Sequence, residues 1–176
     1  MSMFCYQCEQ TAKGTGCTVA GVCGKDARTA ALQDLLMQVA EGVSQYAHAA
    51  RQLGVVDRET DVYVVEAMFS TVTNVDFDPE RLAEILRQGV QVRDRVRGLY
   101  EQAARKAGQT PARLTGPATI ELGETIDAMV DQAQAIGIAK RLEAQGSDVT
   151  GLQELQTYGL KGTAAYADHA QLLGQE

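Results

Sequence analysis

The chain has 176 residues, 45% of them apolar, with three prolines, no tryptophan and a net charge of -7. That length can bury a hydrophobic core without help from a metal or disulfides. The acidic balance excludes a nucleic-acid partner, which needs a basic stripe to displace counterions from phosphates. The apolar stretches fall well short of the ~20 residues of a membrane span, and the N-terminus lacks the basic-then-apolar order of a signal peptide. A cytoplasmic protein with no membrane or nucleic-acid partner is therefore expected, in a compartment where thiols stay reduced and free for metals.

Abundant Ala, Leu, Gln, Glu and Arg favour helix, and the pattern along the chain predicts an all-α fold in three stretches. Residues 1–26 form a loop-rich segment that holds all four cysteines and Gly14, Gly16, Gly21 and Gly24. Residues 27–110 read as a three-helix bundle. Its first helix spans Arg28 to Leu53, with Leu32, Leu35, Leu36, Val39, Val43, Tyr46, Ala47, Ala50 and Leu53 on one face. A shorter helix covers Thr60 to Thr71. A third begins with Asp78 as cap and Pro79 at the first helical position, and its 3,4 alternation through Leu82, Ile85, Gly89, Val92, Val96, Leu99 and Ala103 marks a bundle seam.

Residues 111–176 hold the rest. Gly108, Pro111, Gly116 and Pro117 mark an irregular connection. Leu122, Ile126, Met129, Val130 and Ala133 suggest a fourth helix that Gly137 weakens, and a last helix runs from Thr150 to Leu173. This last helix repeats the first at a constant offset of 120 residues without a gap, and Leu32, Gln33, Leu35, Gly42, Tyr46, Ala47, Ala50, Leu53 and Gly54 all recur. A duplicated helical unit is implied, of which the second copy stops after its opening helix. Only Gly174, Gln175 and Glu176 follow, so Leu152, Leu155, Leu160, Tyr166 and Leu173 must dock back or stay exposed, and a homodimer through this helix is an expected way to cover them.

The cysteines are spaced Cys5-x2-Cys8-x8-Cys17-x5-Cys23. Four thiolates suit a cubane iron-sulfur cluster or a structural zinc. Zinc ribbons bring two close pairs and here only one is close, which favours iron-sulfur and leaves a zinc-stabilised helical interaction module as the alternative. Phe4, Tyr6, Val19 and Val22 could shield a cluster or simply pack. Lys13, Lys25 and Arg28 could offset its charge, but solvation is the expected state of each. His48 and His169 are expected at the surface, Asp168 and His169 on different helix faces, and Glu121 and Glu124 on a solvated face. No P-loop, GxGxxG or nucleophile motif occurs.

The stretch MFCYQCEQTAKGTGCTVAGVCGK, Met3 to Lys25, followed by LQDLL and YGLKGTAAYADHAQLLG, resembles the hybrid cluster proteins, or hydroxylamine reductases, over essentially the whole chain. The resemblance implies one [4Fe-4S] cluster on Cys5, Cys8, Cys17 and Cys23, and a helical domain of two three-helix bundles. Members of that family are about three times this length, and their further domains hold the Fe-S-O hybrid cluster at which hydroxylamine or nitric oxide is reduced. The four cysteines here are already used and only two histidines exist. The resemblance thus implies an electron-transfer module without catalytic residues of its own, partnered by a redox protein or by the missing catalytic domains.

Overall fold

The computed structural model describes residues 3–8, 10–72 and 74–175. Met1, Ser2, Glu9, Thr73 and Glu176 lie outside it, and with them the outer ends of the Cys-rich segment and of the last stretch. Among the described residues six α-helices follow in order: α1 Ala27–Gln52, α2 Arg58–Ser70, α3 Pro79–Lys106, α4 Ile126–Gln134, α5 Ile138–Gln145 and α6 Ser147–Leu172, with 3-10 turns at Ala12–Gly14 and Gly116–Thr119. The all-α expectation holds.

The first three helices each start at an aspartate. The carboxylates of Asp26, Asp57 and Asp78 accept the backbone N–H of Thr29 at 2.7 Å, Thr60 at 3.0 Å and Glu80 at 2.9 Å. Each cap contributes about 1 kcal/mol, and the first two explain why α1 and α2 begin one and two residues ahead of their expected starts.

The core lies between α1 and α3. Leu32, Leu35, Leu36, Val39 and Val43 are fully buried against Leu82, Leu86 and Val96. Two glycines set how closely the elements approach. A Cβ on Gly89 would overlap the Tyr63 hydroxyl and Val39, and a Cβ on Gly42 would overlap the carbonyl of Pro117. Gly89 thereby lets Tyr63 reach across from α2 and donate to the Ile85 carbonyl at 3.0 Å, while Gly42 admits the turn at Gly116–Thr119 onto α1. The α3 seam differs from the 3,4 alternation at its far end, where Tyr100 and Ala104 are buried and Leu99 and Ala103 only partly so. A straight helix drifts about 20° per heptad against a 3.5-residue repeat, so toward the far end of α3 the buried stripe leaves Leu99 and Ala103 and moves onto Tyr100 and Ala104.

The fourth helix is shorter than expected. Leu122 precedes it in irregular chain packed on the core, Thr125 caps it by accepting from Ala128 at 3.2 Å, and it ends at Gln134. The chain restarts after Gly137 as α5, an element the sequence pattern does not single out. Gly146, at φ 83°, then turns α5 directly into α6.

Helix α6 has the length and register of α1. Its bounds and those of α1 differ by the same 120 residues at both ends. It packs on α2, where the His169 ring meets the edge of Phe69 at 5.5 Å between centroids. The face it buries carries Thr150, Lys161, Ala164 and Asp168. Leu152, Leu155, Leu160, Tyr166 and Leu173 remain exposed, Tyr166 by 79%. Among the described residues no helix is long and apolar enough to cross a membrane.

Candidate metal centre

The Cys-rich segment is organised around a backbone bridge. Cys5 and Cys17 pair antiparallel, Cys5 N–H to Cys17 O at 3.0 Å and Cys17 N–H to Cys5 O at 2.8 Å. The Thr11 hydroxyl closes the loop between them by donating to the Cys5 carbonyl at 3.0 Å. The 3-10 turn at Ala12–Gly14 aims the Ala12 N–H at the Cys17 sulfur, 3.4 Å away, with the Thr11 hydroxyl at 3.7 Å. Cys17 is the buried thiol of the four; Cys5 and Cys8 are half-buried and Cys23 is exposed.

This arrangement has an electrostatic result. The N–H of Ala12, then that of Val22, then the Thr11 hydroxyl all point at Cys17, and they hold its thiol below the usual range against the opposing effect of burial. Donors aimed at sulfur favour the thiolate, which is the form that ligates metal.

Two glycines leave room that a side chain would take. A Cβ on Gly16 would stand 2.7 Å from the Phe4 ring, and one on Gly21 would stand 3.0 Å from the Cys23 sulfur and 3.1 Å from Lys25 Cβ. The donor set fits soft-metal chemistry: four free thiols, one with N–H groups turned toward it. Among the described residues no three His, Cys, Asp or Glu side chains are gathered as for a single ion.

The neighbours divide differently from expectation. Val19 and Val22 are exposed and shield nothing. Phe4 and Tyr6 stack edge to face at 5.2 Å, and Tyr6 meets Tyr158 of α6 in the same manner at 5.6 Å, so the repeat helix supplies one wall of the site. Lys13 is exposed, and Arg28 pairs with Asp127 at 2.9 Å. Lys25 overturns the expectation of solvation: it is 2% exposed. Its ammonium donates to Gln33 Oε1, and the Gln33 amide donates in turn to the Asp76 carbonyl at 2.8 Å. Gln33 was the signal available in the sequence, since it interrupts the apolar stripe between Leu32 and Leu35 and a polar group there needs a buried partner.

A second group missing from the sequence reading lies behind Cys5. Asp34 of α1 and Glu154 of α6, equivalent positions of the repeat, line one small cavity together with Cys5, Lys25, Arg141 and Tyr158. Glu154 pairs with Arg141 at 2.5 Å. Burial pushes the Asp34 carboxyl up to about 6, opposed mainly by the charge of Lys161. Lys161, itself buried, is lowered to about 8 by desolvation. Beyond this cavity the two repeat helices stand apart over a polar groove of about 540 Å³.

His48 and His169 are exposed, Asp168 is buried on another face, and Glu121 and Glu124 are exposed ahead of α4. None of them joins the cysteines.

Comparison with known proteins places the chain. The hydroxylamine reductase of Rhodospirillum rubrum is 52% identical over 173 residues, which cover 98% of this chain and 32% of the relative. That of Acidithiobacillus ferrooxidans is 45% identical over 178 residues, 99% of this chain and 32% of the relative. That of Methanocella arvoryzae is 45% identical over 174 residues, 99% and 31%. The chain thus spans about a third of the length of the curated relatives it matches, and their name is the one the sequence resemblance implied. The family described as Prismane/CO dehydrogenase matches residues 3–176, so the chain belongs to this family of iron-sulfur cluster-binding proteins.

Proposed function

We propose that the chain is an electron-transfer module carrying one [4Fe-4S] cluster on Cys5, Cys8, Cys17 and Cys23. It would pass single electrons to a hybrid cluster held outside this chain, or to a redox partner. The observation that carries the reading is the Cys17 thiol, buried and met by the N–H groups of Ala12 and Val22 and by the Thr11 hydroxyl. Such donors suit a thiolate bound to iron, and hydrogen bonds to sulfur with burial are the protein's means of setting a cluster's potential. When bound, the cluster supplies one-electron chemistry. This chain's own residues would hold the sulfurs, with the Tyr6 and Tyr158 rings on one side and the buried Lys25 keeping positive charge near.

The relatives are hydroxylamine reductases, and reduction of hydroxylamine is the activity proposed for the longer protein. A tetrathiolate cluster leaves no iron position open to substrate, as a closed structural site leaves none, and no fifth cysteine is present. This chain by itself is therefore expected not to turn over hydroxylamine.

The test is iron and acid-labile sulfide analysis of anaerobically purified protein, with visible absorption that bleaches on reduction. Four irons and four sulfides per chain, lost on Cys17→Ser with helical circular dichroism retained, support the reading. Colourless protein with one zinc would establish the structural module instead.

We also propose that the exposed face of α6, with Leu152, Leu155 and Tyr166, mediates self-association of this chain. Support comes from α1, where the equivalent face is buried.

A further inference from the structure

We infer that Lys25 is the fixed cation of the metal centre, an ammonium group held inside the fold to balance the negative charge of thiolate-bound iron and so to raise the potential at which that iron accepts an electron. This rests on the four-cysteine reading above and extends it to a residue outside the ligand set.

The placement is built by backbone. Gly24 donates to the Gly21 carbonyl at 2.9 Å and Gly21 donates to the Lys25 carbonyl at 2.7 Å, folding the chain so that Cys23 and Lys25 share one glycine's open side. A methyl group there would touch both side chains. The lysine then points inward, against the usual habit of its stem, which leaves the charged head in water. Its head lies 5.7 Å from the centre of the Phe77 ring and on the Gln33 amide oxygen. Gln33 is itself fixed by the Asp76 carbonyl. The segment, α1 and the loop before α3 thus all hold one ammonium.

Its partners are neutral. Burying a charge is costly unless an opposite charge answers it, and among the described residues no carboxylate forms an ion pair with Lys25. Asp34 feels its charge, but less than it feels those of Lys161 and Arg141. The thiols are nearer in role: Cys23 shares the open side of Gly21 with Lys25, and Cys5 lines the same cavity. Four thiolates around a cluster supply the answering negative charge. Adding an electron makes that charge more negative by one, with dithionite as the reductant in a titration, so a buried cation stabilises the reduced form more than the oxidised one.

The experiment uses cluster-loaded protein. Iron and sulfide content is measured first, since their absence from the unmodified chain would remove the four-cysteine reading and not merely this extension. Lys25→Gln is then compared with the parent by potentiometric titration, together with Gln33→Glu, which keeps the lysine but sets a carboxylate against it. Both variants are expected to shift the midpoint potential to more negative values at unchanged iron content, while Lys25→Arg stays close to the parent. A loaded Lys25→Gln at the parental potential overturns the inference. If Lys25→Gln does not load, Gln33→Glu decides by itself, and a parental potential in that variant overturns the inference equally.

Discussion

Helices α1 and α6 are two copies of one sequence pattern put to opposite uses. In α1, Leu32, Leu35, Val39, Gly42 and Tyr46 form the buried seam, Tyr46 being 5% exposed. In α6 the equivalent Leu152, Leu155, Gly159, Gly162 and Tyr166 face solvent. Both helices form with the same bounds, so the pattern determines the helix. What the helix buries is decided by what packs beside it: α3 and the Gly116–Thr119 turn cover α1, whereas α6 lies on α2 through its polar flank. An apolar stripe is therefore evidence for a helix before it is evidence for a core.

Matched substitutions at equivalent positions break or sharpen this comparison. The largest difference is expected from truncating a leucine. Leu35→Ala should cost about 2–5 kcal/mol because the site is closed on all sides, whereas Leu155→Ala in dilute solution should change stability by no more than about 0.5 kcal/mol. Denaturant midpoints of the two variants measure this, and equal losses would show that α6 buries its seam in solution.

Next come the paired glycines. Gly42→Ala drives a methyl group into the Pro117 carbonyl and should cost about 1–3 kcal/mol. Gly162 has nothing within 4 Å of its added Cβ, so Gly162→Ala should gain about 0.5–1 kcal/mol from helix propensity alone. Thermal unfolding should separate the two in sign.

The paired acids follow. Asp34 ionises less readily in the fold than in the unfolded chain, whose ordinary carboxyl value is 3.8. Its contribution to stability is complete below about pH 4 and is lost as the pH rises to about 6. Asp34→Asn should therefore be more stable than the parent at pH 7, by on the order of 1–2 kcal/mol, and the gap should close as the pH falls to about 4. Glu154→Gln loses the ion pair with Arg141 and should move the other way by about 1 kcal/mol or less. Urea titrations across this pH range test both signs.

The smallest effect is association. Light scattering after size exclusion should show a mass that rises above 18.9 kDa with concentration, and Tyr166→Glu should hold it there. A parental mass that stays constant over the range removes the self-association proposal.

Much of this architecture was legible. Asp78 followed by Pro79 announces the start of α3, and nine identities at one offset announce that α6 copies α1. The split of the fourth helix was not legible, because Ile136 and Ile138 continue its apolar content and only Gly137 speaks for a break. At the centre, the cysteines and their glycines pointed to metal chemistry. Burial of Lys25 did not follow, because a lysine in a glycine-rich loop has no periodicity to say which way it faces. The cavity shared by Asp34 and Glu154 needs two helices 120 residues apart to meet on the same side, which pairing alone, and not pattern, decides.

The bridge between Cys5 and Cys17 bears on how the centre matures. Closing a loop of about a dozen residues costs roughly 2 kcal/mol in chain entropy, and here two backbone hydrogen bonds and the Thr11 hydroxyl stand against that cost. On the proposed four-cysteine reading, the Cys17 thiol of the site is held through its own backbone while Cys23 stands exposed as the open door. On that reading cluster loss should begin at the door, with the exposed Cys23 released before the buried Cys17.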